Sequence, residues 1–276
     1  MLEPLQYPFF VRALEVALLS GVACGVVGSY VVVKRIATIS GGLSHAAFGG
    51  VGLGYLVGFD PMLGAALFAL GSGAGLGAAS RRLASGLDTL VAMVWSVGMA
   101  LGILFVALAP GYAPDLMSYL FGSILLVPAH FVWIVAGLDL LILLVIGIWF
   151  RQFRAVAFDE EYAELVGLPV EWMLQGMLAL TSLTVVVLIR VVGVILVIAL
   201  LTIPAAVARQ WVRSLSRMMI LAGIIGTGCS VAGLYLAYWL SARLDVQTPT
   251  GPLIILIAAA VYGVSTMVRR CTKGNA

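Results

Sequence analysis

Two groups of residues in this sequence could do chemistry. The first are ionisable side chains inside apolar runs: His45, beside Ser44 in ISGGLSHAAFGGVGLGYLVG, and Asp139, ten residues into another apolar run. An imidazole at such depth suits zinc and first-row metals in general. A carboxylate facing lipid costs about 2.5–3.5 kcal/mol on insertion scales, so Asp139 is expected to face protein or water. The second group is Asp159, Glu160, Glu161 and Glu164, four of the 12 acids of the chain within six residues of RQFRAVAFDEEYAELVGLPVEW (151–172).

Each has a plainer reading. His45 could be a packed histidine hydrogen-bonded to a neighbouring helix, and Asp139 could pair structurally within a bundle. The acidic run could be a solvated loop. Its order nevertheless spells a short helix: Asp159 can cap a helix starting at Glu160, whose acidic first turn suits the positive dipole end. Gly167 then sits where a stop is expected, with Pro169 just beyond. Pro204, in LLTIPAAVA, removes a backbone hydrogen bond deep in an apolar run, an irregularity suited to the side of a pathway.

Some chemistry is absent. A phosphate-binding Walker loop needs Gly-Lys before Ser or Thr, and the two lysines, Lys34 and Lys273, follow Val33 and Thr272. Any nucleotide hydrolysis must therefore come from another subunit. Adjacent Ser44 and His45 suggest an intramembrane serine protease, but a base must reach its nucleophile, and helix neighbours point about 100° apart. Cys24, Cys229 and Cys271 are far apart with no CxxC pair, and Cys24 and Cys229, inside apolar runs, read as small packing residues.

The elements that must position these groups are set by composition. Of 276 residues 63% are hydrophobic, 15 are basic and 12 acidic, and mean hydropathy is +1.16. A soluble domain is about 45–50% apolar and roughly a quarter charged. The chain is therefore an integral membrane protein, and soluble enzymes, nucleic-acid binders and disordered chains are excluded. MLEPLQYPFF has Glu3 and no basic residue before Arg12, so the first apolar run is expected to be a retained span.

Uncharged runs long enough to cross a bilayer predict nine spans, at 9–33, 42–58, 61–80, 89–108, 129–150, 173–190, 192–208, 218–240 and 252–268. With the N-terminus outside and the C-terminus in the cytoplasm, 12 of the 15 basic residues fall on the cytoplasmic side, as the positive-inside rule requires. Residues 116–127 are too short to span and are expected to be interfacial or re-entrant. The whole, 1–276, reads as one all-α, polytopic transmembrane helical bundle with a cytoplasmic segment at 151–172.

The runs FDEEYAELVGLPVEW and VVGVILVIALLTIPAAVAR, with VVVKRIATISGGLSHAAFGGVGLG, YLFGSILLV and PTGPLIIL in the same order, resemble the membrane subunits of the zinc/manganese/iron ABC importers. The resemblance covers about residues 10–268, and a more distant one is to cobalamin and siderophore permeases. It implies the type II importer permease fold in the cell membrane, two such subunits (a homodimer) around a central pathway, a cytoplasmic ATPase on each and an extracytoplasmic binding protein. The chain would bind no cofactor of its own and would catalyse nothing. Its substrate would be a divalent metal ion, touched transiently by His45, with Ser44, Asp139 and Pro204 lining the way.

By the same resemblance Asp159, Glu160, Glu161, Glu164, Gly167 and Pro169 would form the ATPase-coupling helix, and Arg209, Arg213 and Arg217 would frame the inner mouth. The family often reads G-D-x-L-S-H where this chain has Gly41 in place of the acid. That departure leaves open an importer of a metal chelate, such as a siderophore or cobalamin. An ion-driven secondary transporter is the remaining transport class, but such proteins carry coupling acids and histidines within their spans, and only His45 and Asp139 lie at depth here.

Overall fold

The computed structural model describes residues 3–82, 86–110, 122, 124, 127–244 and 248–274. The segment 116–127 lies outside the described residues, apart from Gly122, Ile124 and Val127. Among the described residues there is no strand. After a 3-10 turn at Glu3–Gln6 come α1 (Pro8–Val33), α2 (Ala37–Val57), α3 (Pro61–Arg82), α4 (Leu87–Leu108) and α5 (Ala129–Ile148). Two short helices follow, α6 (Phe150–Phe158) and α7 (Glu160–Leu165). The chain then forms α8 (Val170–Val192), α9 (Val194–Trp211), α10 (Leu215–Leu244) and α11 (Thr250–Gly274).

Among the described residues, eight helices are long and apolar enough to cross a membrane: α1, α3, α4, α5, α8, α9, α10 and α11. Each matches an expected span to within a few residues. The remaining expected span, 42–58, is α2, a helix of 21 residues whose six glycines dilute its hydropathy. Every residue of α2 from Ile39 to Gly52 is buried, so it is enclosed on all faces rather than presenting a stripe. Gly193, with φ 86° and ψ 159°, is the sole residue between α8 and α9. That backbone region is essentially reserved for glycine, and it lets two helices adjoin with no loop.

Two compact units are interleaved in sequence. The first is built from 1–32, 117–142 and 190–276, the second from 33–116 and 143–189. Within the first, α1 lies against α10 and α9 through small residues: a Cβ on Gly25 would overlap the backbone of Gly223, and one on Gly28 the carbonyl of Leu201. Such contacts replace the hydrophobic drive that lipid does not supply. Polar side chains join α9 to α11. Trp211 Nε1 donates to Ser265 Oγ at 2.8 Å, Ser265 to Gln210 Oε1 at 2.9 Å, and Gln210 Nε2 to Thr266 at 3.1 Å.

Within the second unit α2 packs on α3 and α4, again backbone to backbone. A Cβ on Gly50 would overlap the carbonyl of Gly64, and one on Gly102 would come to 2.7 Å from the Phe48 carbonyl. Ser182 of α8 donates to the Ala69 carbonyl of α3 at 3.1 Å. The apolar filling between these helices includes Ile39, Leu43, Leu76, Val91 and Leu178.

Candidate functional site

His45 is nearly buried, 9% exposed, and α4 supplies its surroundings. Trp95 stacks on the imidazole, ring centroids 4.3 Å apart and planes 7° from parallel. Met99 puts its sulfur 3.2 Å from Nδ1. Trp95 and Met99 are four residues apart and so share one helix face. Gly98 makes the approach possible, because a Cβ there would stand 2.6 Å from the Cα of Ala46. The site is therefore one imidazole, one thioether and one indole face, held by two helices whose backbones touch.

Ser44 is fully buried, and its hydroxyl donates to the Ser40 carbonyl one turn back at 2.9 Å. With His45 turned to Met99, the neighbours form no nucleophile–base pair. The Ser44 hydroxyl is satisfied within its own helix, in the manner of back-bonded serines.

Asp139 and Pro204 fall in the first unit. Asp139 is 5% exposed, and neither carboxylate oxygen has a hydrogen-bond partner among the described residues. The expected structural pairing is therefore not seen. Pro204 is accommodated inside α9 without ending it, buried, with Gly226 of α10 opposite. His130 is exposed at the start of α5, its ring tilted against Phe131.

The acidic run forms the expected short helix. Asp159 caps α7, its Oδ1 accepting from the Tyr162 amide at 2.9 Å. At the other end the Gly167 amide donates to the Glu164 carbonyl and the Leu168 amide to that of Ala163, each at 3.0 Å. Together with φ 78° at Gly167 these two bonds make a Schellman stop. Six residues cannot hold a helix alone, and α7 leans on a small apolar nucleus of Val156, Ala163 and Val170. Tyr162, Leu165 and Val166 are left exposed at 58%, 86% and 53%.

Two relationships here had no visible sequence cue. Lys34, in the turn after α1, forms an ion pair with Glu160. The pair sits at an open cavity of about 490 Å³, lined also by Arg35, Asp88, Glu161 and Glu164. Arg35, next to Lys34, has φ 60°, a left-handed conformation uncommon for a non-glycine residue. Arg209, expected at an inner mouth, donates from Nη1 to the Val32 carbonyl at 2.9 Å, satisfying the last turn of α1. Helix α6 was readable as a separate element, since Phe153, Val156 and Ala157, its buried residues, have the i, i+3, i+4 spacing of an amphipathic helix.

The chain resembles other membrane proteins along nearly its whole length. The membrane protein slr2045 of Synechocystis sp. is 42% identical over 270 residues, which are 98% of this chain and 94% of that protein. The manganese import system permease protein ScaB of Streptococcus gordonii is 31% identical, over 95% of this chain and 92% of that one. Among solved structures, PsaBC from Streptococcus pneumoniae in complex with Fab superposes with a TM-score of 0.83 at 32% identity, covering 96% of this chain and 93% of its counterpart. Residues 6–269 match the model of the ABC 3 transport family, and the chain belongs to that family.

Proposed function

We propose that this chain is the membrane-spanning permease subunit of an ABC importer that carries a divalent transition metal ion through the cell membrane. The observation that carries the reading is the family match over 6–269, on a chain that has the structure of a permease and no nucleotide-binding loop. ATP hydrolysis belongs to a separate cytoplasmic ATPase, and an extracytoplasmic protein delivers the metal. The permease acts as a homodimer, N-terminus outside and C-terminus in the cytoplasm, with α2 as its ninth span. It carries no cofactor of its own, and the metal is substrate.

Helix α7 is the coupling helix. It is capped at both ends and presents Tyr162, Leu165 and Val166 outward beside Glu161 and Glu164. That surface fits a groove with an apolar floor and basic rim on the ATPase. His45 contacts the ion in passage. A tight resident site would hold its cargo, whereas few fixed ligands bind weakly enough to release it.

Co-expression with the ATPase and reconstitution into vesicles tests the reading. ATP-dependent accumulation of zinc, manganese or iron, requiring both chains and stimulated by the binding protein, is the expected result. Uptake of a siderophore or cobalamin with no uptake of free ion would replace it with the chelate reading, whose support in the sequence is the glycine at position 41.

A further inference from the structure

We infer that Met99 is a second metal-contacting residue beside His45, and that this imidazole–thioether pair biases the permease toward a borderline or soft cation such as Zn2+ or Cd2+, away from Mn2+. The inference rests on the importer reading and narrows its substrate.

The Met99 sulfur and His45 Nδ1 already face each other at 3.2 Å, so that a protonated Nδ1 donates to the thioether and a deprotonated one leaves both atoms free to act as ligands. A tetrahedral ion with bonds of about 2.05 Å to nitrogen and 2.3 Å to sulfur sets its two donors about 3.6 Å apart. Methionine, with three rotatable bonds and no branch, reaches that separation by a small torsion. The imidazole is kept in place meanwhile by the indole of Trp95. An aromatic face also favours positive charge on its partner, so the stacked ring is a better host once a cation is bound.

The carboxylates that suit manganese are missing from the middle of these helices. One turn either side of His45, α2 offers Gly41, Gly42, Phe48 and Gly49, and neither α2 nor α3 contains an acid. The only acid of α4 is Asp88 in its first turn, about two turns from Trp95. Among the described residues no three His, Cys, Asp or Glu side chains gather as a metal site. Carboxylate and carbonyl oxygens suit Mg2+, Ca2+ and Mn2+, whereas imidazole suits zinc and thioethers suit softer ions. A nitrogen–sulfur pair without a carboxylate partner on these helices selects accordingly.

Competition uptake in vesicles holding permease, ATPase and binding protein provides the test, with Zn2+ or Cd2+ set against Mn2+. Cadmium-edge X-ray absorption on the same complex supplies a direct readout. The unaltered complex should favour Zn2+ and Cd2+ and show a sulfur neighbour to bound cadmium. Met99→Leu, close in volume and so mild for packing, should lower the Zn2+-to-Mn2+ uptake ratio by roughly tenfold, the scale on which even outer partners alter metal affinity. It should also abolish the sulfur signal. Met99→Glu should move the ratio further toward Mn2+. An unchanged ratio in Met99→Leu, or a cadmium environment of nitrogen and oxygen alone, overturns the assignment while leaving the importer intact. A complete system that moves no free metal ion overturns the importer reading and this inference with it.

Discussion

Lys34 and Glu160, 126 positions apart in sequence, meet as an ion pair that ties the turn after α1 to the first residue of α7. Lys34 is only 11% exposed while Glu160 is 44% exposed, so the pair is half in solvent. Exposed pairs contribute about 0–1 kcal/mol, too little to hold the fold. Its position is what matters: with Arg35 in a left-handed conformation beside it, it joins the helix proposed to receive the ATPase stroke to the segment that leads into α2.

Breaking this pair should therefore damage coupling more than folding. Glu160→Gln and Lys34→Gln are each expected to lower metal moved per ATP hydrolysed several-fold, with thermal stability in detergent changed by about 1 kcal/mol or less. The exchanged double variant Lys34→Glu with Glu160→Lys should regain part of the loss. Parallel uptake and phosphate-release assays give the ratio, and an unaltered ratio in both single variants would remove the pair from the coupling path.

The glycine contacts predict a sharp positional contrast. Gly50→Ala drives a methyl into the Gly64 carbonyl, whereas a Cβ at Gly71 or Gly75 of α3 meets nothing within 4 Å. Overpacking typically costs about 1–3 kcal/mol, and glycine to alanine in an open helix position gains about 0.5–1 kcal/mol. Gly50→Ala should reduce membrane abundance and melting temperature, while Gly71→Ala should hold or raise both. Fluorescence-detected size exclusion after heating distinguishes the two.

Removing the imidazole should affect transport alone. His45→Ala leaves Gly98 and Ala46 in contact and removes no bond across the helices except that to Met99, so abundance and ATPase binding should stay near normal while metal uptake falls at least tenfold. Trp95, freed from its stacked partner, should shift its emission. Normal uptake at limiting metal would reduce His45 to a packing residue.

Asp139 is expected to be kept at a stability cost. Its two oxygens are buried without a hydrogen-bond partner among the described residues, and an uncompensated buried polar group costs about 1–3 kcal/mol, a charge more. Asp139→Asn should thus melt at an equal or higher temperature than the unaltered protein and transport less. A lower melting temperature would mean that the carboxylate is bonded in the assembled transporter.

A reporter fused after Lys273 should behave as cytoplasmic. The weight of Lys and Arg on one side of the expected spans is the motive, and an extracytoplasmic reporter would reverse the topology.

Much of this arrangement was legible in the sequence because long-wavelength signals carry it. Charge gaps located the helices, and Asp159 and Gly167 marked the two ends of α7 through local rules that need no tertiary information. The unread parts are those in which a residue acquires its role from a distant segment. Lys34 looked like an orientation signal until Glu160 appeared beside it. Arg209 was expected to frame an inner mouth, and its bond to the Val32 carbonyl had no signal in the sequence. Trp95 and Met99 were invisible as partners of His45, since an aromatic and a methionine in an apolar run ordinarily signify packing. Only Gly98, four residues before Gly102 on the same face, hinted that another backbone would come close at that level.

The contact between Gly50 and Gly64 carries a consequence for how the protein can vary. When two large side chains collide, one can shrink to admit growth in the other, so a lineage may pass through compensated pairs. Here both partners are already the smallest residue there is, and each is blocked by the other's main chain. No second substitution at either position can relieve the first. The pair is thus locked jointly, and drift in this part of the sequence must run through the glycines that face open space, leaving α2 and α3 joined at a point that mutation can break but cannot renegotiate.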